Sequence, residues 1–251
     1  MKPYFILAGL LSFACVARGI DVVPAVPAET SAADAEFHDP FATESAPSQS
    51  RIKVSDPLEP VNRVFYRFND KLYCWVLRPV AKGYRTVAPT PVRNGIGRMF
   101  DNVKFPVRFV NNLLQARFSG AGIETARFVV NTTVGVAGFF DPAAHWKLKA
   151  HPADFDKTLA IYRLPSGIYL NWPVFGPSSV RGTFGLAGDT LLNPCWYINN
   201  LWVSGGVAGV DRVNATSLNL ENYDTFRKGS LDPYVALRSA YFENRADALK
   251  K

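Results

Sequence analysis

The sequence predicts a mainly α-helical protein with one small β-hairpin, on three observations. Apolar residues recur at helical spacing through most of residues 57–134 and again beyond residue 232. Asp-Pro pairs, which favour helix starts, stand at Asp56-Pro57, Asp141-Pro142 and Asp232-Pro233. One stretch, residues 158–172, breaks this pattern with two short apolar runs around a turn.

Taken in order, the first helix runs from Asp56 to about residue 78. Asp56 serves as N-cap, Pro57 fits the first turn and Glu59 suits the positive helix end. Val61, Val64, Phe65, Phe68, Leu72, Trp75 and Val76 form one stripe, with Arg63, Arg67, Asp70 and Lys71 mainly opposite. Pro79 ends or kinks this helix. Further helices are predicted over 91–102, 106–118 and 121–134. Thr158–Tyr162 and Ile168–Trp172 read as paired strands around Pro165-Ser166-Gly167, closed by Pro173 and Gly176-Pro177. A last helix runs from Asp232 towards Ala248.

The net charge of +7 conceals an uneven distribution. Residues 20–50 hold six acids and no Lys or Arg, in a composition rich in Ala, Pro, Ser and Thr. That segment has too few large apolar groups to offset its ordering entropy and reads as a disordered acidic linker. Residues 51–251 carry 26 basic and 15 acidic residues, so this body is strongly positive and suits an anionic partner. Between residues 51 and 127 the basic groups are interleaved with Phe, Tyr and Trp. Such a pattern serves either nucleobase stacking or an interfacial helix on phospholipid.

The N-terminus separates those two. Lys2, an apolar stretch from Pro3 to Val16 and small residues at Ala17 and Gly19 form a secretory signal, too short to span a membrane. Residues 1–19 are therefore expected to be removed. A cut before Cys15 is the alternative and would leave that cysteine lipidated, although Phe13 makes a poor lipobox. An exported chain meets lipid rather than nucleic acid, so phospholipid is the expected partner. Of the remaining cysteines, Cys74 and Cys195 stand among apolar neighbours, and either a disulfide or two buried thiols is compatible with an oxidising compartment.

Residues 190–210 contain no charge, a length that would suit a spanning helix. Asn193, Pro194, Asn199, Asn200 and the Gly205-Gly206 pair argue against full insertion. Gly182, Gly185 and Gly188 recur every third residue just upstream, which allows close backbone approach. A half-inserted helical hairpin lining a lipid path is the preferred reading, with a buried core pair as the alternative.

Signals for catalysis are weak. There is no Gly-x-Ser-x-Gly elbow and no phosphate-binding glycine loop, and Gly95-Ile-Gly97 lacks the third glycine of a dinucleotide fingerprint. His38, His145 and His151 have no metal-ligand spacing, and Asp154 and Asp156 stand as a lone acidic pair. No cofactor or metal is expected.

A collinear set of blocks resembles the VacJ/MlaA outer-membrane lipoproteins. It opens with Asp56-Pro57-Leu58-Glu59, Asn62-Arg63, Phe65-Tyr66 and Phe68-Asn69. It continues through Arg93-Asn94-Gly95, Asn111, Leu114-Gln115, Arg127-Phe128, Asn131-Thr132, Gly135, Gly138, Phe140-Asp141 and Thr158-Leu159. It closes with Gly176-Pro177-Ser178, Arg181, Asp232-Pro233-Tyr234, Leu237-Arg238 and Tyr241. The family often has Gly in place of Asp156, Gly-rich sequence in place of Arg163-Leu164, and Asp in place of Gly182.

The resemblance implies a ring of amphipathic helices lying in the periplasmic leaflet of the bacterial outer membrane around a central amphipathic channel. It implies retrograde phospholipid transport that maintains lipid asymmetry, with a trimeric porin and a soluble periplasmic lipid carrier as partners. By position, Phe68 and Asn69 are expected in a gate-controlling element. Gly182, Gly185, Gly188, Gly205 and Gly206 are expected to line or gate the passage. Arg78, Arg85 and Arg181 are candidate headgroup contacts on charge alone. The competing expectations are a periplasmic phospholipid hydrolase and a lipoprotein that scaffolds porins without moving lipid.

Overall fold

Prolines in the first turn of several helices and polar caps before others set where this chain turns. In the computed structural model the described residues are 56–250, so the expected signal peptide, the linker and Cys15 lie outside them. The element order is α1 Glu59–Leu72, a π-helical turn Tyr73–Leu77, α2 Arg78–Val87, α3 Thr90–Val103, α4 Phe105–Leu114 and α5 Phe118–Thr133. Then follow α6 Pro142–His145, α7 Phe155–Ile161, β1 Tyr169–Trp172, β2 Gly176–Ser179 and α8 Val180–Leu192. A 3-10 turn at Pro194–Tyr197 leads to α9 Leu201–Leu218, α10 Leu220–Gly229 and α11 Pro233–Lys250. The chain is thus mainly helical with one small antiparallel hairpin, as its periodicity predicts.

Pro79 does not end the first helix. The Arg78 amide reaches back five residues to the Tyr73 carbonyl, and this wider turn carries the helical path through to Val87. A π-turn placed just ahead of a proline relieves the clash between its ring and the preceding carbonyls. Asp56 is not an N-cap either. Helix α1 starts three residues later, with Pro60 in its first turn and no side-chain cap. Asp141 and Asp232 do bond the first amides of α6 and α11, as expected.

The hairpin differs from expectation in its first half. Thr158–Tyr162 is not a strand: residues 155–161 form α7, whose N-terminus is capped by the Asp154 carboxylate accepting from the Lys157 amide. A cap and Asp156 in the first turn outweigh the strand propensity of a short apolar run. The strand at 169–172 is present. It pairs with Gly176–Ser179 across Pro173–Phe175, so Gly176-Pro177 begins the second strand instead of closing the first.

The interior is largely polar. Among the described residues, twenty-one polar or charged side chains are buried against ten hydrophobic ones, and the latter are mostly alanine and tyrosine. A compact aromatic cluster of Tyr169, Tyr234 and Tyr241 joins the hairpin to α11. Most other centres are hydrogen-bonded pairs: Arg108–Glu124, Arg127–Asp141, Arg181–Asp156 and Lys104–Asp211. The large apolar side chains lie outside instead, with Trp75 at 74%, Val87 at 83% and Trp202 at 87% exposure. For a domain in water this distribution is inverted.

Four further ion pairs run along one side of the first long helix. Arg63, Asp70, Arg78 and Arg85 pair with Asp232, Arg227, Asp224 and Glu221, respectively. Spacings of seven and eight residues keep the four on one helical face. Three of them tie α10 to α1 and α2, and Asp232 ties the start of α11 to α1.

Asp56 forms a further, buried tie. Its buried carboxylate accepts from Asn62 Nδ2 at 2.9 Å, from Arg238 at 3.0 Å and from the Tyr234 hydroxyl. Replacing Asp56 by alanine leaves Arg238 only the more distant Glu59 carboxylate at 3.8 Å and is expected to destabilise the fold by about 3 kcal/mol. Asp56→Asn, which keeps one acceptor oxygen, should lose less. Chemical denaturation of the detergent-solubilised protein measures both.

Candidate functional site

Two neighbouring asparagine side chains hold the hairpin against α1. Asn62 and Asn69 lie seven residues apart, so they share one helical face. Asn62 donates to the Tyr169 carbonyl at 3.0 Å and accepts from the Asn171 amide at 2.8 Å. Asn69 donates to the Trp172 carbonyl at 2.9 Å and accepts from the Val174 amide at 2.7 Å. The Asn62 bonds fall on the edge of β1 that β2 does not occupy, and the Asn69 bonds hold the turn that follows β1. Both amides hold the hairpin with side chains, which can let go without breaking a backbone ladder.

The hairpin tip is strained. Val174 has φ +71°, a left-handed conformation that a β-branched residue rarely adopts. Its amide is the one bonded to Asn69. Phe68 precedes Asn69 on α1 and is about half exposed, and Asn69 itself bonds the hairpin tip.

A second feature lies between α2 and α9, which pack together through buried Ala81, Ser204 and Ala208. Beside that seam is an open apolar cavity of about 570 Å³. Val80, Gly83, Tyr84 and Val87 line it from α2, and Gly206, Gly209, Val210 and Val213 from α9. Its one polar group, the Tyr84 hydroxyl, is already engaged by Asn214 at 3.2 Å. Both walls use the same spacing of zero, three, four and seven residues, which is one continuous helical stripe.

The predicted glycines divide into two sets. Gly206 lines this cavity, and Gly205 lies beside it on α9. Gly182, Gly185 and Gly188 lie on the face of α8 that meets α7 and α11. A side-chain carbon at Gly185 would come 2.6 Å from Asp156 Cβ, and one at Gly188 would come 2.6 Å from the Phe155 ring. At Gly182 it would meet the Tyr241 hydroxyl at 2.6 Å. Those three positions let elements pack closely, the property their spacing predicts.

The arginines are likewise placed unequally. Arg181 is 8% exposed, bonded to Asp156 at 2.8 Å and to the Leu164 carbonyl at 3.0 Å, so its charge is engaged internally. Asp156 and Asp154 are both tied to Arg245, so the acidic pair is a brace between α7 and α11 instead of a lone pair. Arg78 bonds Asp224 at 2.6 Å, whereas Arg85 reaches Glu221 at 3.0 Å from an exposed position. Cys74 and Cys195 are not joined in a disulfide, and burial pushes the Cys74 thiol up. Among the described residues no cluster of metal-ligating side chains is present.

Asp189 is the most perturbed acid. It accepts from Asn111 at 3.0 Å and from the Phe155 amide at 2.9 Å, joining α4, α7 and α8. Burial foremost, with the Asp154 charge nearby, pushes its carboxyl up to about 7. Sequence reading missed this residue, the Asn62 clamp and the α2 wall of the cavity. The matched spacing of residues 80–87 and 206–213 was the available signal for the wall.

The model of the MlaA lipoprotein family matches residues 54–248. The chain belongs to the MlaA lipoprotein family. A Haemophilus influenzae relative, the intermembrane phospholipid transport system lipoprotein MlaA, is 33% identical over 198 residues, covering 76% of this chain and 77% of that protein. The Escherichia coli K12 protein of the same name is 33% identical over 194 residues, 75% of this chain and 76% of that one. An MlaA-like fold is also seen in a solved chain described under the structural basis for maintenance of bacterial outer membrane lipid asymmetry. It superposes with a TM-score of 0.68 at 33% identity, covering 78% of this chain and 99% of that one.

Asn69→Ala removes two bonds at the hairpin tip and should speed amide exchange at Val174 by at least about fivefold, the equivalent of roughly 1 kcal/mol. Asn62→Ala should cost more global stability, because it strands two buried backbone groups. For Asp189, a raised folded pKa means the folded state holds the proton more tightly than the unfolded one. Stability should therefore fall by up to about 1.4 kcal/mol per pH unit as pH rises from about 4 towards 7. Asp189→Asn keeps the acceptor oxygen and should flatten that slope in thermal melts.

Proposed function

We propose that this chain is the outer-membrane component of a retrograde phospholipid transport system that maintains lipid asymmetry. It takes mislocalised phospholipid from the outer leaflet and delivers it to a soluble periplasmic carrier through an amphipathic channel. The observation that carries this reading is the inverted burial pattern. Large apolar side chains face outward and a hydrogen-bonded polar network fills the interior. An apolar exterior is stable against acyl chains, and a polar interior offers a path to charged headgroups. Among the described residues no helix is long and apolar enough to cross a membrane, which suits a ring of helices resting in one leaflet. The names of the Haemophilus and Escherichia relatives point to the same role.

In this reading the hairpin, clamped by Asn62 and Asn69 beside Phe68, controls the passage, and the cavity between α2 and α9 belongs to it. Arg85, the most exposed of the three candidate arginines, meets phosphate by exchanging Glu221 for it, with Arg78 behind it. Residues 1–19 direct export and residues 20–50 tether the body, residues 51–251, which works beside a trimeric porin. Cys15, where retained, adds a lipid anchor to a body that already holds the membrane. The basic surplus meets anionic lipid and not nucleic acid.

Outer-leaflet phospholipid in a deletion strain is the decisive quantity. It should rise on deletion and return to normal with the plasmid-borne chain. Normal levels with disturbed porin assembly would favour a scaffold instead, and release of fatty acid from vesicles by the purified protein would favour a hydrolase. With Cys15→Ala, the exported body should still require detergent for extraction; free solubility would contradict insertion through the body itself.

A further inference from the structure

Glycine is the poorest helix former after proline, so a glycine inside a helix calls for a packing reason. Gly185 and Gly188 have one: neighbouring atoms occupy the space a side chain would need. Gly83, Gly206 and Gly209 have none within the protein. A side-chain carbon at any of the three would meet no atom within 4 Å. All three line the same cavity between α2 and α9. Gly122, on the exposed face of α5, and Gly229, at the C-terminal end of α10 where glycine is common, share that freedom but lie outside the cavity.

We infer that Gly83, Gly206 and Gly209 set the depth of a furrow that seats a single phospholipid acyl chain, and so determine which chains the protein accepts. This rests on the phospholipid-transport reading above and names the part of the lipid that this furrow holds. The lining carries no charge, and its one hydroxyl is already bonded to Asn214, so the furrow has nothing to hold a headgroup or a peptide backbone. An open apolar furrow of about 570 Å³ has room for a long acyl chain. A partner's helix, about 10–12 Å across with its side chains, is too wide to sink into a furrow whose depth comes from missing side chains. Valines at 80, 87, 210 and 213 supply the walls, and their stiff χ1 angles keep them upright.

The test uses the full chain in vesicles of phosphatidylethanolamine and phosphatidylglycerol that contain a phospholipid with a photoactivatable group midway along one acyl chain. Adduct sites are mapped by mass spectrometry. In the wild-type protein, labelling of Val80, Val87, Val210 and Val213 should exceed labelling of the exposed Trp202. Gly206→Leu and Gly209→Leu overfill the furrow and should lower its labelling at least about fivefold while Trp202 labelling stays constant. Gly206→Ala improves helix propensity, so it should keep or raise the melting temperature and give intermediate labelling. It carries the test where a leucine variant loses helical signal. Furrow labelling no greater than at Trp202, or unchanged in the leucine and alanine variants, would overturn the inference. Complementation separates the two levels. An unlabelled furrow in a chain that restores lipid asymmetry overturns the furrow alone. A labelled furrow in a chain that fails to restore it supports the acyl seat and contradicts transport.

Discussion

The Asp56 carboxylate joins three parts of the chain that are distant in sequence. Through Asn62 it reaches the start of α1 and, by the same amide, the hairpin; through Tyr234 and Arg238 it reaches the last helix. Arg63, one residue along, closes the same node against Asp232 and over the Tyr234 ring. The opening and closing motifs of the sequence therefore fold onto each other, with the hairpin caught between them. Beside this node, the Asn69 clamp at the turn also holds the hairpin to α1.

The node is polar because the fold as a whole is inside out. Apolar burial supplies little of the cohesion here, so position is set by directional bonds: the Asp189 junction of α4, α7 and α8, the Arg181–Asp156–Arg245 brace, and the ion-pair row along α1 and α2. Such contacts are strong only where water is scarce. The outward valines, phenylalanines and tryptophans would be costly in water, and in the proposed membrane setting lipid would supply the burial that the interior lacks. Structure and environment are in this sense one problem, and both the hairpin clamp and the furrow are consequences of it.

Much of the fold was legible in the sequence because helical periodicity survives inversion: a stripe is a stripe whether it faces a core or a membrane. Helices at α1, α3, α4, α5 and α11 follow from spacing and Asp-Pro starts. Two local errors had physical causes. A short run at Thr158–Tyr162 carries strand-like residues, yet the Asp154 cap makes it a helix. Asp56 looks like a cap, yet its carboxylate is drawn inward by Arg238, a residue 182 positions away that local reading does not reach. The site was legible only in part. Phe68 and Asn69 came from the resemblance; of the two, Asn69 bonds the hairpin tip. The three glycines of α8 came from spacing and prove to be packing positions. The cavity needed two helices to be set side by side, which a single sequence does not do, although the repeated spacing in both was visible.

The central claim is that the outward apolar surface lies in one lipid leaflet around a polar interior. Fluorescence quenching of a variant that retains Trp202 alone, in vesicles with brominated acyl chains confined to one leaflet, tests it most directly. Strong quenching from the leaflet that the protein enters, and little from the opposite one, is the predicted result. Equal quenching from both leaflets, or emission characteristic of water with no quenching from either, would contradict the account.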